Sequence, residues 1–498
     1  MHSALVNTAA KGTSEFEVAG RITVSENAHK KGSIMKHFCT PEAARVADLR
    51  LDSRRIRQLL HSSRKIAAFG TISVAAMLLS ACGSSGSSQQ DAPAANAAQL
   101  AQASQILRSD NSGDESGNGE RPEDAGKNAA VVAQGKQIFR FDTFGDETQW
   151  TDTLRMHEVI AAAVTPAVAL SVGLKVDTEA LPAAVVQGIQ DGTISLTSTA
   201  TTIALLKLNA VVGLQGKVEN IGGTDTLTHV GITCALCHST VDNSFAPGIG
   251  KRLDGWANRD LNPGAIIALS PALSAAQKAV YNSWGPGKYD PRFNLDGQNG
   301  PQVIPPAYGL KGIHSITATG DGENIAYWNR YVGVTQMGGH GSFSEPRTGV
   351  NVTNGTDDLI TAKLPALQAY QLSLNAPPPP AGSFDPVAAD RGERVFKGAG
   401  TCDTCHKGSK LTDANSRLHP ASDVVSEPEA PGVPSYASRS ATKLYRTAPL
   451  AGLWQHAPYF HNGSAATLDA VVQTYNTRKS LGLSNADMAD LVEYLKSL

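Results

Sequence analysis

Four cysteines and two histidines fall in two copies of one pattern, Cys234-Ala235-Leu236-Cys237-His238 and Cys402-Asp403-Thr404-Cys405-His406. Two thiols at this spacing can add across the two vinyl groups of one porphyrin. The imidazole on the next residue then reaches the iron from one side, and C-x-x-C-H is the attachment signature of c-type haem. With Cys at 6 and His at 13 of 498 residues, one such pentapeptide is expected by chance roughly 0.002 times on composition alone. A zinc site needs a second set of thiolates or imidazoles. A site built from both Cys pairs leaves the two adjacent histidines unexplained, and so does a thioredoxin-like redox pair. The spacing therefore predicts two covalent haem c groups on Cys234, Cys237, Cys402 and Cys405, with His238 and His406 as proximal iron ligands.

The chain around these motifs is long enough for two or more cores. Its hydrophobic content is 41% and its formal net charge is −2, so no basic footprint points to nucleic acid. The remaining cysteines are Cys39 and Cys82. Arg54, Arg55, Arg57, Arg64 and Lys65 precede an apolar run from Ile66 to Leu79, too short to span a bilayer and of the length of a signal h-region. Leu79-Ser80-Ala81-Cys82 then reads as a lipoprotein signal box, followed by the flexible Gly83-Ser84-Ser85-Gly86-Ser87-Ser88. Residues 1–81 are thus expected to be a leader, with a lipid on Cys82 tying the protein to a membrane on its periplasmic side. Residues 82–130 are read as a disordered tether, with at most a transient helix over 97–107.

Order is expected from Val131, in a first haem domain over 131–376 that carries a large insertion. The patterns predict helices over 152–163, 182–190 and 199–208, a strand or hairpin over 211–218, and a helix near 274–284. A closing helix is read within 356–374. Pro377 to Pro380 begins a stiff spacer, 377–384. A compact second haem domain, 385–498, opens on a helix containing Gly392 and Phe396. It ends on one with Met488, Leu491, Val492 and Leu495 on a single face. Gly309-Leu310-Lys311-Gly312-Ile313-His314 is echoed by Gly452-Leu453-Trp454-Gln455-His456, as expected of a duplicated haem-binding unit. The fold class read from these features is mostly α: two class I cytochrome c-like domains with long loops.

Tyr445-Arg446-Thr447-Ala448-Pro449-Leu450, Ala457-Pro458-Tyr459-Phe460-His461-Asn462-Gly463-Ser464 and Thr467-Leu468-Asp469-Ala470-Val471-Val472 resemble the bacterial dihaem cytochrome c peroxidase family. That family includes the dihaem enzyme that matures methylamine dehydrogenase, with dihaem rubber oxygenases as distant relatives. The resemblance covers about 390–498. It implies that electrons enter at the C-terminal haem and that peroxide or oxygen meets the N-terminal one. It also implies a small periplasmic electron donor or acceptor protein as partner, and a calcium ion between the domains, for which the sequence offers no evident ligand set. Tyr475 stands where the peroxidases carry a Met ligand and the methylamine-related enzyme a Tyr, so it is the expected sixth ligand of the haem on His406, with Met488 as rival. His461 is expected to hydrogen-bond near the haem edge. For the first haem, the loop Thr335-Gln336-Met337-Gly338-Gly339-His340-Gly341 offers Met337 or His340 to iron. A His340 free of iron, with Glu323, is the candidate acid–base pair. The family's Trp-Asp-Gly-Arg element between the haems has its nearest match in Leu295-Asp296-Gly297-Gln298, which lacks both Trp and Arg; Trp284 and Trp256 are the candidate substitutes. The implied activity is peroxide reduction. A dihaem electron carrier, and an oxygenase or protein-oxidising enzyme, are the alternatives.

Overall fold

The computed structural model describes residues 122–498, which fall in one compact unit. The expected leader, the signal box at Cys82 and the helix over 97–107 lie outside the described residues. Helices dominate, with five small two-stranded sheets among long irregular segments. None of the described helices is long and apolar enough to cross a membrane.

Two crossed helix pairs frame the structure, and each is built on the same three residues. In the first, α1 (Pro122–Phe141) meets the closing helix. It begins before the expected Val131. Any side chain at Gly135 would overlap the carbonyl of Ala366, and the Phe139 ring stands edge-on to Tyr370 at 5.5 Å. In the second pair, a Cβ at Gly392 would overlap the carbonyl of Asp490, and Phe396 stands edge-on to Tyr494 at 5.2 Å. Glycine permits the backbones to touch, and the aromatic pair four residues on fixes the crossing.

Between α1 and the first pentapeptide the insertion forms its own core. Here α2 (Met156–Ala163), α3 (Ala183–Gln190) and α4 (Thr199–Lys207) lie close to the predicted spans. The predicted strand becomes a full antiparallel hairpin, β1 (Leu214–Ile221) and β2 (Thr224–Ile232), with a bulge between Lys217 and Val218. Gly222 and Gly223 turn it, both at positive φ (61° and 87°), as a two-residue hairpin turn requires. Trp150, Ile160, Leu205, Leu206, Val230 and Leu236 pack together in this core.

The closing half of the first unit contains α5 (Ile325–Val332), the antiparallel pair β3 (Gly341–Glu345) and β4 (Val350–Asn354), and α6 (Leu364–Ser373). The last of these starts well after the expected 356, since Pro365 takes a first-turn position and Thr361–Lys363 forms a separate 3₁₀ turn. Phe139, Val334, Met337, Ile360, Leu367 and Tyr370 share one core there. After irregular residues 374–385, α7 (Pro386–Lys397), α8 (Leu468–Arg478) and α9 (Asn485–Lys496) enclose another core of Phe396, Leu453, Tyr459, Leu468, Val472 and Leu491. The Pro377 carbonyl accepts from Trp454 Nε1 at 3.3 Å, so the proline-rich segment is held against the second half. Buried Arg439 also ties the halves together, with Nη1 2.9 Å from Asp290 and Nε 2.8 Å from Asp296.

Candidate haem sites

Both pentapeptides open onto one continuous cavity of about 1030 Å³, lined by Cys234, Cys237, His238, Cys402, Cys405 and His406. This exceeds the roughly 300–1,000 Å³ of an ordinary small-ligand pocket. Its wall is mainly aliphatic and aromatic, as a porphyrin face needs. The four thiols are unpaired with one another. Burial pushes Cys234 and Cys237 up to about 12, and Cys402 to about 11.

The two histidines are fixed alike. His238 Nδ1 lies 3.0 Å from the Pro305 carbonyl, and His406 Nδ1 lies 2.9 Å from that of Leu411. A carbonyl can only accept, so each Nδ1 carries the proton and each Nε2 keeps its lone pair for iron. Burial lowers both from their ordinary values, His238 to about 4, which keeps the rings neutral. Free thiols on the cavity wall, oriented imidazoles and an apolar cavity between them fit covalent haem.

The internal repeat runs further than the glycine echo. Gly309 and Gly452 share positive φ (67° and 74°), and Thr317 and Phe460 share it at 68° and 65°. Gly320 and Gly463 follow at 62° and 72°. Matching bridges join Ile316 to Gly322 and Tyr459 to Ala465. Asn324 and Thr467 then cap α5 and α8, each accepting from a backbone N–H at 3.2 Å. The register holds along the helices. Ile325, Trp328, Asn329 and Val332 of α5 line the cavity, as do their counterparts Leu468, Val471, Val472 and Tyr475 of α8. This is an i, i+3, i+4, i+7 stripe in both copies.

Tyr475 therefore faces the second site. Burial, together with the nearby Cys402 and Cys405, pushes its phenol up to about 12. Met488 is absent from the cavity wall and accepts from Asn476 Nδ2 at 3.3 Å instead. Met337 is buried and lines the cavity. The structure does not bring His340 or Glu323 there. Glu323 is exposed, while His340 packs beside Gly145 and Gly355, turned away by the positive-φ turn at Gly338. His461 lines the cavity, with Nδ1 3.2 Å from Ser426 Oγ and Nε2 3.2 Å from Glu427.

The tryptophans on the wall are Trp150, which donates through Nε1 to the Met337 carbonyl at 3.0 Å, and Trp328, stacked on Tyr331 at 4.5 Å. Trp256 and Trp284 are not on it; Trp256 stands edge-on to Trp454 at 5.6 Å and Trp284 sits in an aromatic cluster with Tyr281 and Phe293. Sequence reasoning passed over Trp328, Arg259, Tyr308 and Arg446. Extending the repeat past Gly312 would have found Trp328. Among the described residues two acid-containing clusters are compact enough for a metal, Glu427/Glu429/His461 and Cys405/Asp413/His419. Neither is the all-oxygen set that Ca²⁺ takes.

Residues 444–481 match the family described as RoxA-like, cytochrome c-like. The chain is 30% identical over 149 residues to the cytochrome c551 peroxidase of Pseudomonas aeruginosa, a match covering 27% of this chain and 42% of that protein. It is 32% identical over 145 residues to the cytochrome-c peroxidase IdrP2 of Pseudomonas sp. strain SCT, covering 22% and 39%. The chain thus spans about two fifths of the length of these curated relatives. Among solved structures, a variant of the dihaem peroxidase BthA from Burkholderia thailandensis superposes with TM-score 0.30 at 15% identity, covering 54% of this chain and 81% of the other. A MauG-like protein associated with microbial copper homeostasis superposes with TM-score 0.28 at 19% identity, covering 41% and 75%. Fold and site define a c-type cytochrome. The sequence relatives narrow the likeness to bacterial cytochrome c peroxidases, over 149 and 145 residues of this chain.

Proposed function

We propose that this protein is an exported, lipid-anchored dihaem oxidoreductase of the peroxidase type. It takes electrons from a small periplasmic protein at the Cys402–His406 site and presents peroxide to the Cys234–His238 site. Haem iron, when bound, supplies the electron-transfer and peroxide chemistry. The chain supplies an asymmetry between the two sites. At the second, Tyr475 offers a phenol oxygen to the sixth position. At the equivalent place in the first, Val332 offers only methyl groups. That difference carries the reading, because a small oxidant needs an open position and an electron-entry site does not.

Polar groups on the cavity wall could orient a peroxide without ionising. Asn329 and Gln371 are paired at 2.6 Å, and the half-buried Tyr289 hydroxyl donates to Gln336 at 2.9 Å. Burial holds the Tyr289 phenol well above its ordinary value, so it stays a proton donor. His340 and Glu323 lie off the cavity wall, so this reading gives them no acid–base role. Export and anchoring through Cys82 rest on the leader sequence alone.

Met337 favours a second reading. Its thioether side chain belongs to the cavity wall, and as a sixth ligand it would make the protein an electron carrier. Ferric electron paramagnetic resonance separates the two, measured before and after half-reduction alongside peroxide turnover with a reduced electron-donor protein. A high-spin signal and sustained turnover are expected. Two low-spin signals throughout, without turnover, would leave only the carrier.

A further inference from the structure

Buried arginines in this protein are mostly matched by acids. Arg252 meets Asp177, Arg292 meets Asp321 and Arg439 meets Asp290. Arg259 and Arg446 are different. Both line the haem cavity, both have an enclosed Nε–H without an acceptor, and among the described residues neither forms an ion pair with a carboxylate. Burial lowers each to about 10. A guanidinium held in a largely apolar wall with no carboxylate beside it calls for an anion from elsewhere.

Their anchoring is reciprocal. Arg446, from the second half, donates through Nη1 to the Ser315 carbonyl of the first at 3.0 Å. Arg259, from the first half, donates through Nη1 to the Pro458 carbonyl of the second at 3.3 Å. Ser315 and Pro458 are the same position of the repeat, each immediately before a bridge residue, Ile316 or Tyr459. Two arginines from unrelated points in the chain thus grip equivalent carbonyls across the junction, leaving the rest of each guanidinium for the cavity.

We infer that Arg259 and Arg446 are a reciprocal pair of carboxylate clamps that hold haem propionates at the junction between the two haem sites. A planar fork with several N–H donors matches a carboxylate, and a haem brings two. The inference rests on haem being carried at both pentapeptides. Each bond would link a cofactor to both halves of the protein.

The test is resonance Raman spectroscopy of the propionate bending bands in the full-length holoprotein, for the wild type, Arg259→Gln, Arg446→Gln and the two Arg→Lys variants. Haem content is counted by intact mass. Each Gln variant is expected to keep both haems and to shift a propionate band to lower frequency, with Lys giving a smaller shift. Should a Gln variant fail to fold, its Lys variant carries the test, since loss of the fork alone must move the band. Unmoved bands in variants holding two haems overturn the inference. Bands that respond instead to added formate at constant ionic strength also overturn it, pointing to a free anion as the partner. A wild-type mass short of two haems would mean that the underlying haem reading has failed, which is a separate result.

Discussion

Tyr475 and Val332 are the eighth residues of two equivalent helices, and both face the same cavity. One can bind iron and the other cannot. Tyr475→Phe should therefore change the spectrum of one haem only and raise its potential, since a phenolate ligand favours ferric iron. Val332→Tyr should do the reverse at the other site, closing it and abolishing peroxide turnover while leaving electron uptake intact. Redox titration with stopped-flow peroxide mixing checks both. Unchanged spectra in Tyr475→Phe would refute the ligand assignment.

Gly135 and Gly392 each lie against a backbone carbonyl of a closing helix. A methyl group there cannot be relieved by a rotamer change, so the helices must separate. Gly392→Ala is expected to cost about 3 kcal/mol, the upper end of ordinary overpacking. Gly135→Ala should cost a similar amount. Denaturant melts of the holoproteins measure this, and losses below about 0.5 kcal/mol would mean that the helix crossings are softer than described.

Arg439 pairs with Asp290, which is 0% exposed, and with Asp296. Its ring partner is Tyr436, 5.4 Å away, which Arg292 also overlies at 4.6 Å. Arg439→Ala leaves a buried carboxylate without its cation and should destabilise the protein by about 3–5 kcal/mol. Adding Asp290→Asn should recover part of that loss, a coupling that a double-mutant cycle reads directly.

Glu427 and His461 form a buried pair at 3.2 Å, with the Tyr445 hydroxyl also donating to Glu427. Burial alone would raise Glu427, but hydrogen bonds from His461 and Tyr445 carry it below its ordinary value. Burial alone would lower His461, but Glu427 and Glu429 lift it above its ordinary value. Glu427 therefore contributes stability above the unfolded carboxylate range and loses it as pH falls through its depressed pKa. His461 contributes below about pH 6.5 and loses it as pH rises through its elevated pKa. The pair is worth most between about pH 5 and 6. Thermal melts across pH should show an alkaline decline that is reduced in His461→Gln; an identical decline in that variant would remove His461 as its source.

Much of this was legible because some positions allow only one residue type. The two C-x-x-C-H runs, Gly392 with Phe396, and the apolar face of α9 announce their roles through composition and period alone. That Tyr475 faces the cavity agrees with the place the resemblance gave it. The insertion's helices could be placed, though not the separate core they build, since that depends on which apolar faces meet. For a related reason His340 and Glu323 are not on the cavity wall. Their chemistry suited a haem pocket, but a left-handed glycine turns the chain after Met337 and carries His340 away from the cavity. Arg259 gave no local signal and Arg446 stood only as one member of a motif run, because an unpaired cation is visible only once its surroundings are known.

The intact mass of the purified protein, expressed with a c-type cytochrome maturation system and denatured before measurement, tests the central claim most directly. Two haem increments are predicted for the wild type and one for Cys402→Ala/Cys405→Ala. A wild-type mass without both increments, or a double variant still carrying two haems, would contradict the assignment of covalent haem to both pentapeptides.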